Sequence, residues 1–600
     1  MRPPFPSITL SRRAKIALWT AVILIAMIIA LVQLTGVYIN FLWFDSLGFR
    51  GVYTTIFWTR VTLFFMFGVL MALIIGGNLV VAYLLSPPFR PMSPEQQNIE
   101  RYRAVLEPRR IAVLVAIAAI ALFSAGLSAQ DKWATWQLFL HGQSFGTTDP
   151  QFGKDVSFYA FDYPAYRLLL GFGFSAIIFT IILSVLVHYL TGAIRLQTPG
   201  PKVTPAARRH LTILAFVFVV LKAIAYWLDR YGLVFSDRSK FTGASYTDVH
   251  AVLPARTILF WIAIVIAAGL IASLWLRNSM LPGIAFVSML VLSILISGIY
   301  PAILQNVSVK PNASSKEAPY IKKNITATRQ AYNIETGADV TYSSYPVSNH
   351  PDFTALASTT NSTLNNIRIL DPNVVSPTFN RFQQNGNQYG FAPKLDIDRY
   401  TDGKAKTDYI VGVRELDAAN LTGDQTNWIN SHTNYTHGYG FVAAAAGTDI
   451  TSGNDQTGQF AEGNIPPTGF LTGDLKQNGV YYGELMPDYS IVGAKGPAQE
   501  FDGDGKAKVT YGGDGGVSLG NLFTRLAFAI DYKQTNFLLN DAATAPGAKI
   551  IFNRDPRTMV QKVAPFLKVD SDPYPVVDPS SGHVVWMVDA YTTMDNYPYS

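Results

Sequence analysis

The first half of the chain alternates long apolar runs with short polar breaks, and the second half does not. Seven runs stand out: Ile16 to Ile39, Ile56 to Leu85, Ile111 to Ala129, Tyr166 to Leu190, Leu211 to Leu228, Arg256 to Leu276 and Leu281 to Leu304. A helix rises about 1.5 Å per residue and needs roughly 20 mostly apolar residues to cross a bilayer's hydrocarbon, so each run predicts a transmembrane helix. Trp43, Tyr83, Tyr166, Trp227 and Trp261 lie near run ends, where amphipathic rings suit the headgroup layer. Residues 1–304 therefore read as a multi-pass α-helical membrane domain, and residues 305–600 as a mixed α/β extracytoplasmic domain.

Beyond Leu304 the periodicity changes. Ala318 to Ile334 places Ile321, Ile325, Thr328 and Tyr332 at helical spacing and predicts an amphipathic helix. Lys394 to Leu416 predicts a hairpin turning at Asp402-Gly403. Gly512 to Gly516 predicts a turn, followed by a helix over 521–532 with Leu522, Leu526 and Ala529 on one side. Gly438 to Pro467 reads as a surface loop and Gly582 to Tyr591 as a core strand. That strand pattern ends nine residues before Ser600 with no polar tail, so the outer domain is expected to be cut short. Among the breaks between apolar runs, 130–165 and 229–254 are long and patterned enough to build a cap, with Val156, Phe158 and Ala160 alternating like a short strand. Pro94 to Arg110 reads as a short surface helix.

Charge sets the orientation. Met1 to Leu304 carries 24 Lys+Arg against 11 Asp+Glu, and Gln305 to Ser600 carries 23 against 30, so +13 and −7 make up the net +6. Arg12, Arg13 and Lys15 precede the first run, Arg101, Arg103, Arg109 and Arg110 precede the third, and Arg208 and Arg209 precede the fifth. The alternate breaks hold fewer cations, which places the N-terminus in the cytoplasm and residues 305–600 outside. The basic excess belongs to the membrane half and gives no reason to expect a nucleic-acid partner. Cysteine is absent, which excludes thiol nucleophiles, cysteine metal sites and disulfides.

Candidate chemistry is sparse, and no cofactor is expected. His432 and His437, in SHTNYTHGYG, are the densest pair of acid/base or metal-binding groups, but five residues apart they face different ways on a strand or a helix. Asp502 and Asp504 alternate in EFDGDGKAKVTYGG and suggest a loose calcium site; Lys506 and Gly513 stand where an EF-hand needs oxygen ligands. Glu484 and Asp488, in YYGELMPDYS, form a possible carboxylate pair for general acid/base catalysis. Lys222 is the one clear charge inside a span, about 9 Å from its end, close enough to snorkel or to meet Asp229. His188 needs no special role, and the small residues from Gly68 to Gly77 fit a seam within or between chains. Neither GxSxG nor a Walker phosphate loop occurs.

Several long segments together resemble one family: DPQFGKDVSFYAF, APYIKKNITATRQAY, WINSHTNYTHGYG, YYGELMPDYSIVG and FNRDPRTMVQKVAPFLKVDSDPYPVV. They are similar to the uncharacterised protein family zero-one-eight-two, large membrane proteins of actinobacteria. The resemblance implies seven transmembrane helices, a large extracytoplasmic domain and continuation past Ser600, and it carries no catalytic residues. The expected function is that of a non-enzymatic scaffold or binding protein of the cell envelope, in contact with membrane lipid and with an envelope protein or lipid ligand. The alternatives are a transporter or channel gated by the outer domain, and a membrane-anchored hydrolase of envelope material.

Overall fold

Long stretches of Ala, Leu, Ile, Val and Phe with little internal charge favour helices that satisfy their own backbone, and among the described residues seven such helices are long and apolar enough to cross a membrane. The computed structural model of the chain describes residues 11–87, 100, 102–195, 202–276, 281–334, 366–402, 405–450, 460–465, 478–495, 500–503, 507–578, 580–595 and 597–599, with single positions 341, 344, 354, 469 and 475. The main helices are α1 (Arg12–Ser46), α2 (Arg50–Leu84), α3 (Arg110–Gln130), α4 (Trp133–Leu140), α5 (Tyr163–Leu190), α6 (Pro205–Asp229), α7 (Leu253–Leu276), α8 (Leu281–Ile294), α9 (Ala313–Ala331), α10 (Pro372–Gln383), α11 (Leu522–Asp531) and α12 (Pro556–Val563). Ser11 caps α1 through the Ala14 amide, and Thr204 caps α6 just before Pro205, whose fixed φ suits a first helical turn. After α8 the helical path continues through two π-helical turns, Leu295–Ile299 and Leu304–Val309, that its apolar pattern does not announce.

Packing does not divide the chain at Leu304. One compact unit joins Met1–Thr55 to Pro346–Thr593, and the other joins Ile56–Tyr345 to Met594–Ser600. The cause in the first unit is α1. Its 35 residues extend about 52 Å, well beyond the ~30 Å of bilayer hydrocarbon. The far end buries Ile39, Trp43 and Phe44 against Phe528, Phe537, Ile550 and Phe552. The Trp43 indole N–H donates to the Phe552 carbonyl at 3.2 Å, and the hydroxyls of Tyr38 and Thr524 meet at 3.2 Å.

The main strands of this unit are β1 (Asp396–Asp402), β2 (Ala405–Val413), β3 (Phe441–Ala445), β4 (Tyr489–Val492), β5 (Glu500–Asp502), β6 (Ala507–Val509), β7 (Val517–Ser518), β8 (Lys549–Phe552), β9 (Tyr574–Asp578) and β10 (His583–Met587). Antiparallel sheets run β1-β2-β3 and β7-β8-β4, with β5-β6 and β9-β10 as two-stranded ribbons. The expected hairpin is present, with Asp396 opposite Val411 and Asp402 opposite Ala405. The expected loop over 438–467 is corrected: Phe441 to Ala444 form a strand with no exposed surface, while 451–459 and 466–468 lie outside the described residues. Alanine is a poor strand signal, yet here its small side chain lets the sheet be covered on both faces. Val375 and Phe379 of α10 lie over Ile410, Val442 and Ala444, while Val577 and Trp586 lie over Val411, Phe441 and Ala443. The strand expected in the core near the end is β10, which alternates between exposed and half-buried residues in its ribbon.

In the second unit, Phe158 to Asp162 form a π-helical turn leading into α5, which corrects the strand read from Val156, Phe158 and Ala160. The Asp155 carboxylate accepts the Ser157 amide and so starts a helix instead. The helix expected after the last span is α9, but the opposite face is buried. Glu317, Tyr320 and Ala327 are covered, whereas Ile321 and Ile325 are exposed. Polar anchoring decides this: Glu317 accepts from the Ser239 hydroxyl and the Tyr246 amide, and Asn324 donates to the carbonyls of Thr242 and Tyr599. The loops 130–165 and 229–254 meet around Tyr599, which packs with Tyr159, Val234 and Ala244. α11 is likewise turned from expectation: Thr524, Ala527 and Phe528 are buried, while Leu522 and Leu526 are exposed. The short surface helix expected over 94–110 lies partly outside the described residues; 102–109 is helical.

Candidate functional site

The polar centre of the strand-rich unit is built where β5 passes the segment before β3. Glu500 starts β5 and is almost fully buried. One carboxylate oxygen accepts the Thr436 hydroxyl at 2.7 Å and the Tyr481 hydroxyl at 3.1 Å; the other accepts the amides of Gly493 and Tyr511, both at 3.0 Å. His437 lies beside it, with Nδ1 2.9 Å from the Thr436 hydroxyl and 3.6 Å from Glu500, and Nε2 3.4 Å from Asp502. The Tyr481 ring stacks on the imidazole, with centroids 4.6 Å apart.

Because Thr436 donates to Glu500, its oxygen is left to accept from His437 Nδ1–H. The other nitrogen faces Asp502, so both ring nitrogens act as donors, as in the charged form. Burial by itself pulls the His437 pKa down, but the bonds to Asp502 and Glu500 and their charges outweigh it and hold the group above its ordinary value. Burial likewise pushes Glu500 up, and His437, the Gly493 amide and Thr436 together bring it below its usual range. Arg554 closes the network from within. It donates to the Tyr481 carbonyl at 2.8 Å, the Ser490 hydroxyl at 2.7 Å and the Thr436 carbonyl at 2.6 Å, while burial lowers its pKa to about 10, so it stays charged near neutrality.

The other sequence candidates lie in separate neighbourhoods. His432 stacks flat on Tyr489, at 4.1 Å and 4°, and donates to that residue's carbonyl; its pKa is lowered by burial. Asp488 is exposed, and its charge acts on His432. Glu484 stands among acids: burial and then the charges of Asp572 and Asp555 push it up to about 7, although its exposed edge lets water damp this. The same surroundings push Asp396 up to about 8 and, by burial above all, Glu415 to about 8. Asp502 joins His437, and Asp504 lies outside the described residues. Among the described residues no group of three His, Asp or Glu is placed to hold a metal ion. Sequence reasoning missed Glu500, Thr436, Tyr481 and Arg554, although three of the segments that carry the family resemblance supply Thr436, Tyr481 and Arg554.

In the helical unit, Lys222 lies over the Tyr226 ring at 4.7 Å, and the carboxylate of Asp229 is taken by Arg167. Gly68 and Gly126 serve packing inside the chain: a Cβ on Gly68 would come 2.6 Å from the Leu122 carbonyl, and one on Gly126 2.7 Å from Phe64. Beside this contact, α2, α3 and α5 enclose an open slot of about 750 Å³. Met71, Ile75, Ile117 and Phe179 make its apolar wall, and Lys132 and Arg167 stand at one end. From Arg167 to Leu183 the slot follows α5 for about 24 Å.

Residues 17–600 match the uncharacterised protein family UPF0182. The chain belongs to that family. A UPF0182 protein of Frankia casuarinae is 45% identical over 595 residues, covering 98% of this chain and 57% of its own length. One from Streptomyces coelicolor is 45% identical, covering 98% and 58%, and one from Rhodococcus jostii is 42% identical, covering 100% and 62%. The chain thus spans somewhat more than half the length of these curated UPF0182 relatives. No solved structure matches it.

Proposed function

We propose that this UPF0182 chain is a multi-pass protein of the bacterial cell membrane, with its N-terminus cytoplasmic and the strand-rich region over 346–593 extracytoplasmic. It acts there as a non-enzymatic binding scaffold that seats an anionic membrane lipid. The observation that carries this reading is the slot between α2, α3 and α5: its apolar wall suits an acyl chain, and Lys132 at one end, beside the Arg167–Asp229 ion pair, suits a phosphate headgroup. Its ~24 Å length is most of a ~30 Å hydrocarbon core. The arrangement of the acid/base candidates supports the non-enzymatic part. Glu484, Asp488 and His437 have different neighbours, and His437 is engaged on both nitrogens inside the fold. A hydrolase would need at least two of them to converge on one substrate bond.

Native mass spectrometry of the chain extracted in mild detergent tests the reading. A retained anionic phospholipid, lost on Lys132→Glu, is expected. A lipid-free chain, or equal retention by the variant, would refute it.

A further inference from the structure

The helical unit holds a polar row that neither the lipid reading nor the family match uses. Thr180, Ser184 and His188 follow one another at four-residue steps on α5, so they lie on one face over about 12 Å of helix. All three are buried, with 1%, 0% and 0% of their surface exposed. The Thr180 and Ser184 hydroxyls and His188 Nδ1 are buried without a hydrogen-bond partner among the described residues. Burying a polar atom without a partner is costly, and three in one row call for an explanation.

The hydrogen bonds on the far side of His188 fix which proton it carries. Asn78 donates its amide N–H to the Ile74 carbonyl at 2.7 Å, which turns Oδ1 toward His210 as an acceptor. His210 Nε2, 3.2 Å away, is therefore the N–H donor, and in the neutral ring Nδ1 carries a lone pair. His188 Nε2 lies 3.0 Å from that lone pair and must donate to it. His188 Nδ1 is then a bare lone pair, on the helix face that Ser184 and Thr180 share.

We propose that His188 and His210 form a binding site for one water-borne proton, reached along Ser184 and Thr180. A hydronium gives its proton to His188 Nδ1, forming N–H and leaving water. The Nε2 proton of His188 passes to His210 Nδ1, so His188 is neutral again in its other tautomer. His210 becomes an imidazolium whose Nε2–H rests on Asn78 Oδ1. One proton enters and none leaves. The charged groups on the packed helices leave the pair as the acceptor: Arg50 and Arg60 on α2, Arg110 on α3, Arg167 on α5, and Arg208, Arg209, Lys222 and Asp229 on α6. The single carboxylate among them is taken by Arg167.

The test is ¹⁵N NMR of the full 600-residue chain, labelled at its 8 histidines and reconstituted in lipid vesicles, with His188→Gln and His210→Gln assigning the signals. Near pH 8 both rings should show protonated Nε2 and bare Nδ1. On acidification to about pH 4, His210 should gain its second proton as His188 changes tautomer. Thr180→Val, which keeps size and removes only the hydroxyl, should slow exchange at His188 about tenfold without altering elution. Two rings that stay neutral and unchanged to about pH 4, or exchange equally fast in Thr180→Val, would overturn the proposal.

Discussion

Replacing Glu500 by Gln removes one negative charge from the closed network and leaves its volume intact. Glu500 receives two hydroxyls on one oxygen and two backbone amides on the other, and is 3% exposed, so solvent does little to screen the change. The glutamine carbonyl can keep the amides of Gly493 and Tyr511, leaving its NH2 toward Thr436 and Tyr481, whose hydroxyls must turn round. Four charge-assisted bonds become neutral ones, at about 1 kcal/mol each, and His437 loses one of its two carboxylates; allowing for non-additivity, the cost is about 3 kcal/mol. For a unit of this size that lowers the melting temperature by about 6–12 °C, read by thermal unfolding of the full chain in detergent. The pH dependence carries a sign. His437 titrates above its ordinary value when folded, so its stabilisation is present below the unfolded pKa of ~6.5 and is lost as pH rises through the folded value. Glu500 titrates below its ordinary value, so its contribution is present above ~4.5 and is lost as pH falls through the folded value. Glu500→Gln should therefore remove Glu500's own share of the acid-side loss and reduce the alkaline loss, leaving the part due to Asp502. A shift under about 2 °C with an unchanged pH profile would refute the reasoning.

Trp43→Ala should destabilise the strand-rich unit by about 3–5 kcal/mol, because it opens a cavity beside Phe528 and Phe552 and leaves the Phe552 carbonyl without its donor; protease resistance of residues 366–595 is the readout. Glu415, protonated in the fold up to about pH 8 where it is buried near Glu484, loses stabilisation as pH rises from ~4.5 through that value. Glu415→Gln should thus melt higher than the parent at alkaline pH and about the same under acid conditions; a lower melting temperature at alkaline pH would contradict this.

How much could be read without coordinates depended on the range of the deciding interaction. The apolar helices and the β1-β2 pairing follow from local pattern, since length, hydropathy and a turn signal act over neighbouring residues. Helix faces did not follow. In α9 the hydrophobic residues Ile321 and Ile325 are exposed because Glu317 and Asn324 are held by residues more than 70 positions away, including Tyr246 and Tyr599. The strand at Phe441 was hidden because its alanines matter only once α10 and β9 close on them. Site residues behaved alike: His437 was visible as a residue type, but Glu500 and Arg554, which decide its charge and access, come from 63 and 117 residues further along. His188 looked unremarkable because its partners, His210 and Asn78, lie on other helices.

In the proposed topology the chain crosses the membrane with Ser11 inside and the strand-rich region outside. Its lack of cysteine makes the direct measurement simple: introduce Ser11→Cys or Ala418→Cys, both at exposed positions, and treat intact cells with a membrane-impermeant maleimide. Position 418 should be labelled in intact cells and position 11 only after the membrane is opened. Labelling of position 11 in intact cells, or protection of position 418 until lysis, would contradict it.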